Sequence, residues 1–411
     1  MAIARSQVDV ADAQRMRATV DALPRVAAYS SYDRLLRSEF QGIALPVSEG
    51  NEMPELPFGN RNTYRAGLQL SHTVFGGGRN LGNRRIAADA SHAAELDLRS
   101  VRAAVILDVA EAYFDAVLAE QLLSISEAAQ AQTQCMADRA GALFEAGTGS
   151  EFDYLRAKVA RARHRPDVLR QRAARDVAML KLRQLAGVSP AVAIVLTTPL
   201  DPDSAGTFAS DASRFATGST QSPRRLTIEA AKARLEESQH RVALARSSRF
   251  PTLTAVSTYE GVSYAGERLP TTRDFRANWT VGGRIDLPLL TGRHMSDEAE
   301  ARAGVSRSRA ELRRVELLSV LDAEVAATQL AVAEASRAAS DQTVREATRA
   351  HEIALLRYSE GLAIQLELDD ARNTLEAARA ERARASRDLL VERIRSALLP
   401  ALPAGRAIAR Q

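Results

Sequence analysis

The chain has 411 residues, of which 26% are charged and only 5% aromatic, a balance that suits thin helical walls better than two or three thick globular cores. Its 55 basic and 51 acidic residues leave a net charge of +4 interspersed along the sequence, which argues against a nucleic-acid patch. One cysteine, Cys135, excludes a disulfide framework, a zinc set and a lipid-attachment cysteine near the start; mid-helix beside Met136, it is expected to be a small packing residue. Taking the chain in order, MAIARSQVDV lacks the apolar core of a secretory signal. Residues 1 to 22 are predicted to be helical, ending at Leu23-Pro24 because proline disfavours a helical residue before it. PRVAAYSSYDR is strand-like, and the polar loop SEFQGIALPVSEGNEMPELPFGNRN separates it from a second strand. That strand alternates Tyr64, Ala66, Leu68, Leu70, His72 and Val74 against Arg65, Gly67, Gln69, Ser71 and Thr73, which is a two-faced strand.

The cluster Gly76-Gly77-Gly78 breaks the strand and opens a helix predicted over Arg79 to Phe144. A phosphate cradle is excluded there because neither the P-loop Lys-Ser/Thr nor GxGxxG spacing is present. Gly147 is a natural C-cap, and Ser150 a natural N-cap for a return helix to about Leu185, with Pro166 as an expected kink. Residues 187 to 222 are rich in Pro, Ser, Thr, Gly and Asp and read as a linker or small equatorial element. A helix over 223 to 248 carries Ile228, Ala231, Leu235, Ser238, Val242 and Ala245 on one face and stops at Phe250-Pro251.

TLTAVSTY then begins a second strand pair, whose later member alternates Trp279, Val281, Gly283, Ile285, Leu287 and Leu289 against Asn278, Thr280, Gly282, Arg284 and Asp286. Pro288 and Gly292 lead into a helix from Arg293 to Tyr358, 66 residues without proline and about 100 Å long at ~1.5 Å per residue. Its expected seam is Leu318, Leu321, Val325, Thr328 and Val332, stepping by 3 and 4. Gly361 reverses the chain into a final helix with Leu368, Ala371, Leu375, Ala378, Arg382, Ala385 and Leu389 on one face, and the tail PALPAGRAIARQ is expected to fray.

Shifted by 214, the chain superimposes Phe144 on Tyr358, Gly147 on Gly361 and Asp108 on Asp322, so one unit occurs twice. The organisation read from this is a first repeat over 1–186, an equatorial linker over 187–222, a second repeat over 223–399 and a tail over 400–411. The fold class is mainly α with a small β part. Four strands per chain are too few to close a barrel, which needs about eight in its smallest forms, so a homo-oligomer that pools strands is expected.

These motifs resemble the TolC family of outer-membrane efflux proteins over nearly the entire chain. LSHTVFGGGR at 70 to 79 and DLPLLTGR at 286 to 293 are similar to the family's strand-to-helix junction and its second copy. LFEAGTGSEFDYLRA at 143 to 157 and YSEGLAIQLELDDA at 358 to 371 resemble the family's two periplasmic tips. The resemblance implies very long antiparallel helices forming an α-barrel tunnel, with four strands per protomer contributing to a transmembrane β-barrel. It implies a homotrimer serving as a passive export duct, with a periplasmic adaptor, an inner-membrane transporter and outer-membrane lipid as partners, and no cofactor, metal or catalytic residue. Drug efflux, metal efflux and type I secretion are all compatible.

The site residues implied are Asp153, Glu367 and Asp370 as acidic rings at the periplasmic constriction. Gly147, Thr148, Gly149, Gly361, Leu362 and Ala363 become adaptor-docking tips, and Gly76, Gly77, Gly78, Pro288 and Gly292 the barrel-to-tunnel junction. Leu68, Leu70, Val74, Trp279, Val281, Ile285 and Leu287 become the lipid-facing positions. Thr73 stands where the family often has proline, Ala363 stands where some relatives have a basic latch, and no signal peptide precedes the first helix, which is read as a truncated or misassigned start. Two readings compete with the duct. A periplasmic or cytosolic coiled-coil adaptor or structural rod would show the same strand period, and ordinary solvated carboxylates would account for Asp153, Glu367 and Asp370. An enzyme is disfavoured because His72, His92, His164, His240, His294 and His351 are isolated in sequence.

Overall fold

The computed structural model describes residues 1–37, 62–189, 191–200, 210–211, 225–265, 269–289 and 292–406. In chain order these form α1 (Ala2–Val20), β1 (Arg25–Arg34), β2 (Asn62–Phe75), α2 (Arg79–Glu145), α3 (Glu151–Ala186), α4 (Leu226–Ser247), β3 (Thr252–Ala265), β4 (Arg276–Asp286), α5 (Arg293–Ser359) and α6 (Gln365–Leu398). The first hairpin loop, most of the linker after Leu200 and the last five residues lie outside the described residues. Starting residues Arg79 and Arg293, and again Glu151 and Gln365, stand 214 positions apart, and α2 and α5 are both 67 residues long. Helices of this length form where strong helix formers run without proline; α3 carries Pro166 in its interior.

Two compact units divide the chain across the repeats. One comprises Met1–Ser6, Ala94–Ala231 and Glu311–Gln411; the other comprises Gln7–Ala93 and Lys232–Ala310. The second unit contains a four-stranded antiparallel sheet in the order β1-β2-β3-β4. Among the described residues no helix is long and apolar enough to cross a membrane.

In the first unit, Ala103, Leu107, Ala110 and Phe114 of α2 step by 4, 3 and 4, a spacing that keeps them on one face. They pack with Leu226 and Ala230 of α4 and with Leu390, Val391, Ile394 and Leu398 of α6. Each large side chain buried there contributes about 1.5–3 kcal/mol. The linker joins this core: Leu200 packs against it, while Ile194 and Leu196 cover Ala112, Ala116 and Leu182. The backbone N–H groups of Thr197 and Thr198 donate to the Tyr113 hydroxyl at 3.2 and 3.1 Å.

Three expectations need correction. The tail does not fray over its described part: Ala401 and Leu402 are buried, the Leu226 N–H donates to the Pro400 carbonyl at 3.0 Å, and Arg406 pairs with Asp108. The buried seam of α5 is Val315, Ser319, Asp322, Ala326 and Ala333, and Leu321 and Val332 of the expected stripe are exposed. Small side chains let neighbouring helices approach closely, so the seam follows Ala and Ser rather than the largest apolar residues. Cys135 is exposed, because Thr133 and Ala137 take the buried positions of that turn.

At the centre of the seam Asp322 is 0% exposed, and its Oδ2 accepts from Arg225 Nη2 at 2.6 Å and from the Gly405 N–H at 2.8 Å. Arg225 is 9% exposed and also donates to the Ser319 carbonyl at 2.9 Å. Asp108, the repeat equivalent of Asp322, holds Arg406 in a more open setting.

Candidate functional site

The sheet has two chemically different faces, because directly paired residues of an antiparallel ladder share a face. The rows Ala28↔Leu68↔Tyr259↔Trp279 and Val26↔Leu70↔Ser257↔Val281 put Leu68, Leu70, Trp279 and Val281 together, and Leu253↔Ile285 adds Ile285. All five expected positions just named are exposed within the chain. Trp279 Nε1 donates to Ser257 Oγ at 3.0 Å, so the one polar atom of the indole is satisfied. The other face is polar. On it Tyr29↔Gly67↔Glu260 lie in one row, and the Tyr29 hydroxyl donates to the Glu260 carboxylate across the glycine. A Cβ at Gly67 would stand 2.4 Å from the Tyr259 carbonyl oxygen, which explains the glycine. Arg65 Nη1 pairs with Asp33 at 3.2 Å on the same face.

Two members of the expected apolar set are placed differently. A register shift between Thr73 and Phe75 makes Phe75, not Val74, the partner of Leu253, with Val74 the extra residue of a bulge. β4 ends at Asp286, so Leu287 follows the strand; Pro288 has no N–H to continue a ladder. Phe75 was missed because a bulge leaves no mark in a period-2 pattern.

At the first junction Gly77 and Gly78 have φ of 61° and 87°, and a Cβ on Gly77 would stand 2.6 Å from the Phe250 Cβ. The Arg79 N–H donates to the Gly76 carbonyl at 3.0 Å, opening α2. At the second junction Pro288 lies between β4 and α5, and the Gly292 carbonyl accepts from the Met295 N–H at 3.2 Å.

The helix reversals of the first unit are two copies of one device. Gly147 and Gly361 take φ of 75° and 74°; their N–H groups donate to Phe144 and Tyr358, and those of Thr148 and Leu362 reach back to Leu143 and Arg357. This is the left-handed glycine cap with two orphan carbonyls satisfied. Gly149 is required for a separate reason, since its Cβ would stand 2.9 Å from backbone atoms of Leu143 and Phe144. Ser150 then caps α3 by accepting from the Phe152 N–H at 3.2 Å. Gly147→Ala and Gly361→Ala should each cost about 1–2 kcal/mol, the penalty for a side chain in left-handed backbone. Thermal unfolding checks this, and an unchanged midpoint in both variants contradicts it.

Beside these turns the acidic residues divide by environment. Asp153 lies exposed in the first turn of α3. Glu367 lies in the first turn of α6, 3.6 Å from Arg357 Nη1, and Asp370 is exposed one turn on. Asp369 is different: it is mostly buried between Arg156 at 3.9 Å and Arg372 at 3.3 Å. Arg156, His164, Leu366, Asp369, Asp370 and Arg372 line a groove of about 450 Å³ between α3 and α6. The arginines were missed, although the 214-residue shift places Arg156 on Asp370 and so signals opposite charges on paired helices. Ala363 is half-buried and Leu362 exposed at the second turn, and Phe144 stacks on Tyr154 at the first, with ring centroids 5.5 Å apart. Deeper in, burial pushes the Glu376 carboxyl up against the opposing pull of His164, Arg372 and Arg379. Burial, helped by Arg379 and Arg372, pushes the His351 imidazole down.

Comparison with known proteins gives this architecture a family. The sequence model described as outer membrane efflux protein matches residues 1–188 and 221–398. A fusaric acid resistance protein, FusA, from Burkholderia cepacia is 23% identical over 246 residues, covering 59% of this chain; the match spans less than half, 45%, of that relative's length. Among solved structures, the outer-membrane channel OprN superimposes with a TM-score of 0.73 at 21% identity, over 96% of this chain and 86% of that one. The CmeC outer membrane channel of Campylobacter jejuni gives 0.76 at 16% identity over 99% and 84%, and the outer membrane protein VceC of Vibrio cholerae gives 0.74 at 19% over 97% and 92%. These likenesses place the fold among outer-membrane channels. The chain belongs to the outer membrane efflux protein family.

Proposed function

We infer that this chain is the outer-membrane duct of an export assembly and works as a homotrimer. The observation that carries the inference is the sheet with open edges: among the described residues β1 and β4 each pair on one side only, and three copies would pool twelve strands into a closed barrel. The exposed apolar face carrying Leu68, Leu70, Trp279, Val281 and Ile285 would then meet lipid, with the Tyr29, Arg65 and Glu260 face lining water. A soluble adaptor or rod gives no reason for that exposed apolar face or for exposed Leu317, Val320 and Val332 on α5, which suit contact with a second protomer. The tips at Gly147–Gly149 and Gly361–Ala363 are the docking points for a periplasmic adaptor and its inner-membrane transporter. A relative named for fusaric acid resistance favours small-molecule efflux over protein secretion.

Asp153, Glu367 and Asp370 form the constriction, each repeated three times around the axis. Detergent-solubilised protein should have the mass of a trimer; a stable monomer with full helicity would sink the duct. In planar bilayers the channel should be cation-selective and blocked by divalent ions from the tip side. Glu367→Ala with Asp370→Ala should weaken that block, whereas Asp369→Ala, already held by two arginines, should leave it intact. An undiminished block in the double variant removes these acids from the gate.

A further inference from the structure

The helix-proximal end of the sheet carries two bands that neither the duct nor the constriction explains. The first is apolar: Phe75 at the end of β2 and Phe250 two residues before β3 are both about half exposed, and the Gly77 turn brings the two connections together. The second lies within about three helical turns of the strand ends and is basic. Arg84 and Arg85 project exposed from the start of α2, five and six residues after its first residue, and no acid precedes Asp89 on that helix. Arg246 near the end of α4, Arg249 in the turn that follows it and Arg302 on α5 all converge on one carboxylate, Glu298, at 2.9 Å for Arg246 and 2.6 Å for Arg302.

Glu298 is buried at 4% exposure, whereas the three arginine side chains are each more than half exposed. One carboxylate neutralises one of three guanidinium groups and fixes the orientation of all three. Their remaining N–H donors are held outward in a planar fork geometry that matches phosphate oxygens. Asp297 and Glu300 lie on the same helix as Glu298 and are exposed; counted with Arg84 and Arg85, the band keeps a surplus of positive charge. Gly82 packs against Leu244, so the start of α2 and the end of α4 stand side by side and the arginines of both helices belong to one band.

Aromatic side chains at the apolar boundary followed by arginines one or two turns further out are the arrangement that a bilayer interface selects. We propose that this band binds the phosphate groups of anionic phospholipid headgroups in the membrane leaflet facing the helices, with Glu298 as the residue that positions Arg246, Arg249 and Arg302. The proposal rests on the duct reading, which sets the sheet in a bilayer with the helices emerging on one side. It adds a lipid class and the residues that select it. Basic residues clustered at such a surface attract anionic lipid additively, so five together produce a measurable preference.

The test uses the full-length protein inserted in vesicles of phosphatidylcholine alone or mixed with phosphatidylglycerol, then released in mild detergent for native mass measurement. The expected result is at least ten-fold preferential retention of phosphatidylglycerol, lost as salt is raised towards about 1 M, where the screening length falls to about 3 Å. Arg84→Gln with Arg85→Gln leaves the Glu298 cluster intact and should lower retention several-fold; Arg249→Gln added to that pair should lower it further. Inorganic phosphate at millimolar concentration should not displace the lipid. Equal retention of the two lipids, or retention unchanged in both variants, overturns the proposal while leaving the duct standing. Displacement by inorganic phosphate identifies an anion site and overturns the lipid assignment. Failure to insert or to form trimers in either vesicle overturns the duct reading and this proposal with it.

Discussion

Asp322→Ala should lower stability by about 3–5 kcal/mol, because it leaves the Arg225 guanidinium buried without its counter-charge. The Gly405 amide loses its acceptor in the same change. Denaturant midpoints of the solubilised protein measure the loss. Replacing both partners, Asp322→Leu with Arg225→Met, should recover most of it, since an apolar pair of similar volume needs no desolvation of charge. If the double variant is as unstable as the single one, the ion pair is not the source. Asp108→Ala provides the internal control: Asp108 is 30% exposed and Arg406 23%, so its loss should stay near the ~1 kcal/mol of solvent-screened pairs.

On the sheet, Leu70→Arg or Val281→Arg should each cost about 2–4 kcal/mol of assembled barrel, because their shared row lies near the middle of the strands. Ile285→Arg should cost only about 0–1 kcal/mol, as it stands one residue from the end of β4 and so near the interface. Gln69→Arg and Arg284→Gln, on the opposite face, should be tolerated. The readout is the amount of heat-resistant trimer recovered from outer membranes. Equal losses on the two faces would contradict the assignment of lipid and water sides.

Where a local rule dictated geometry, the chain could be read directly. Glycine at 147 and 361 signals left-handed caps whatever surrounds it, and strand alternation from Tyr64 to His72 follows from backbone pleat alone. The 214-residue shift carried that legibility to the second repeat. What could not be read depends on partners distant in sequence. The α5 seam runs through Ser319, Asp322 and Ala326 because other helices approach there, and no periodicity within α5 distinguishes that face from the stripe of Leu321 and Val332. A tail of Pro, Ala and Gly looks frayed until Asp322 and Asp108 supply its hydrogen bonds. Asp369 and Asp370 look equivalent until Arg156, more than 200 positions earlier, selects one of them.

The docking of residues 400–406 also bears on when this protein can fold. Synthesis proceeds from the N-terminus, yet Asp322, the partner of Arg225, accepts from the Gly405 amide, and Asp108 waits for Arg406 across a separation of 298 residues. Contacts that distant are slow to form. Asp108 and Asp322 therefore emerge with their long helices before residues 405 and 406 are there to meet them.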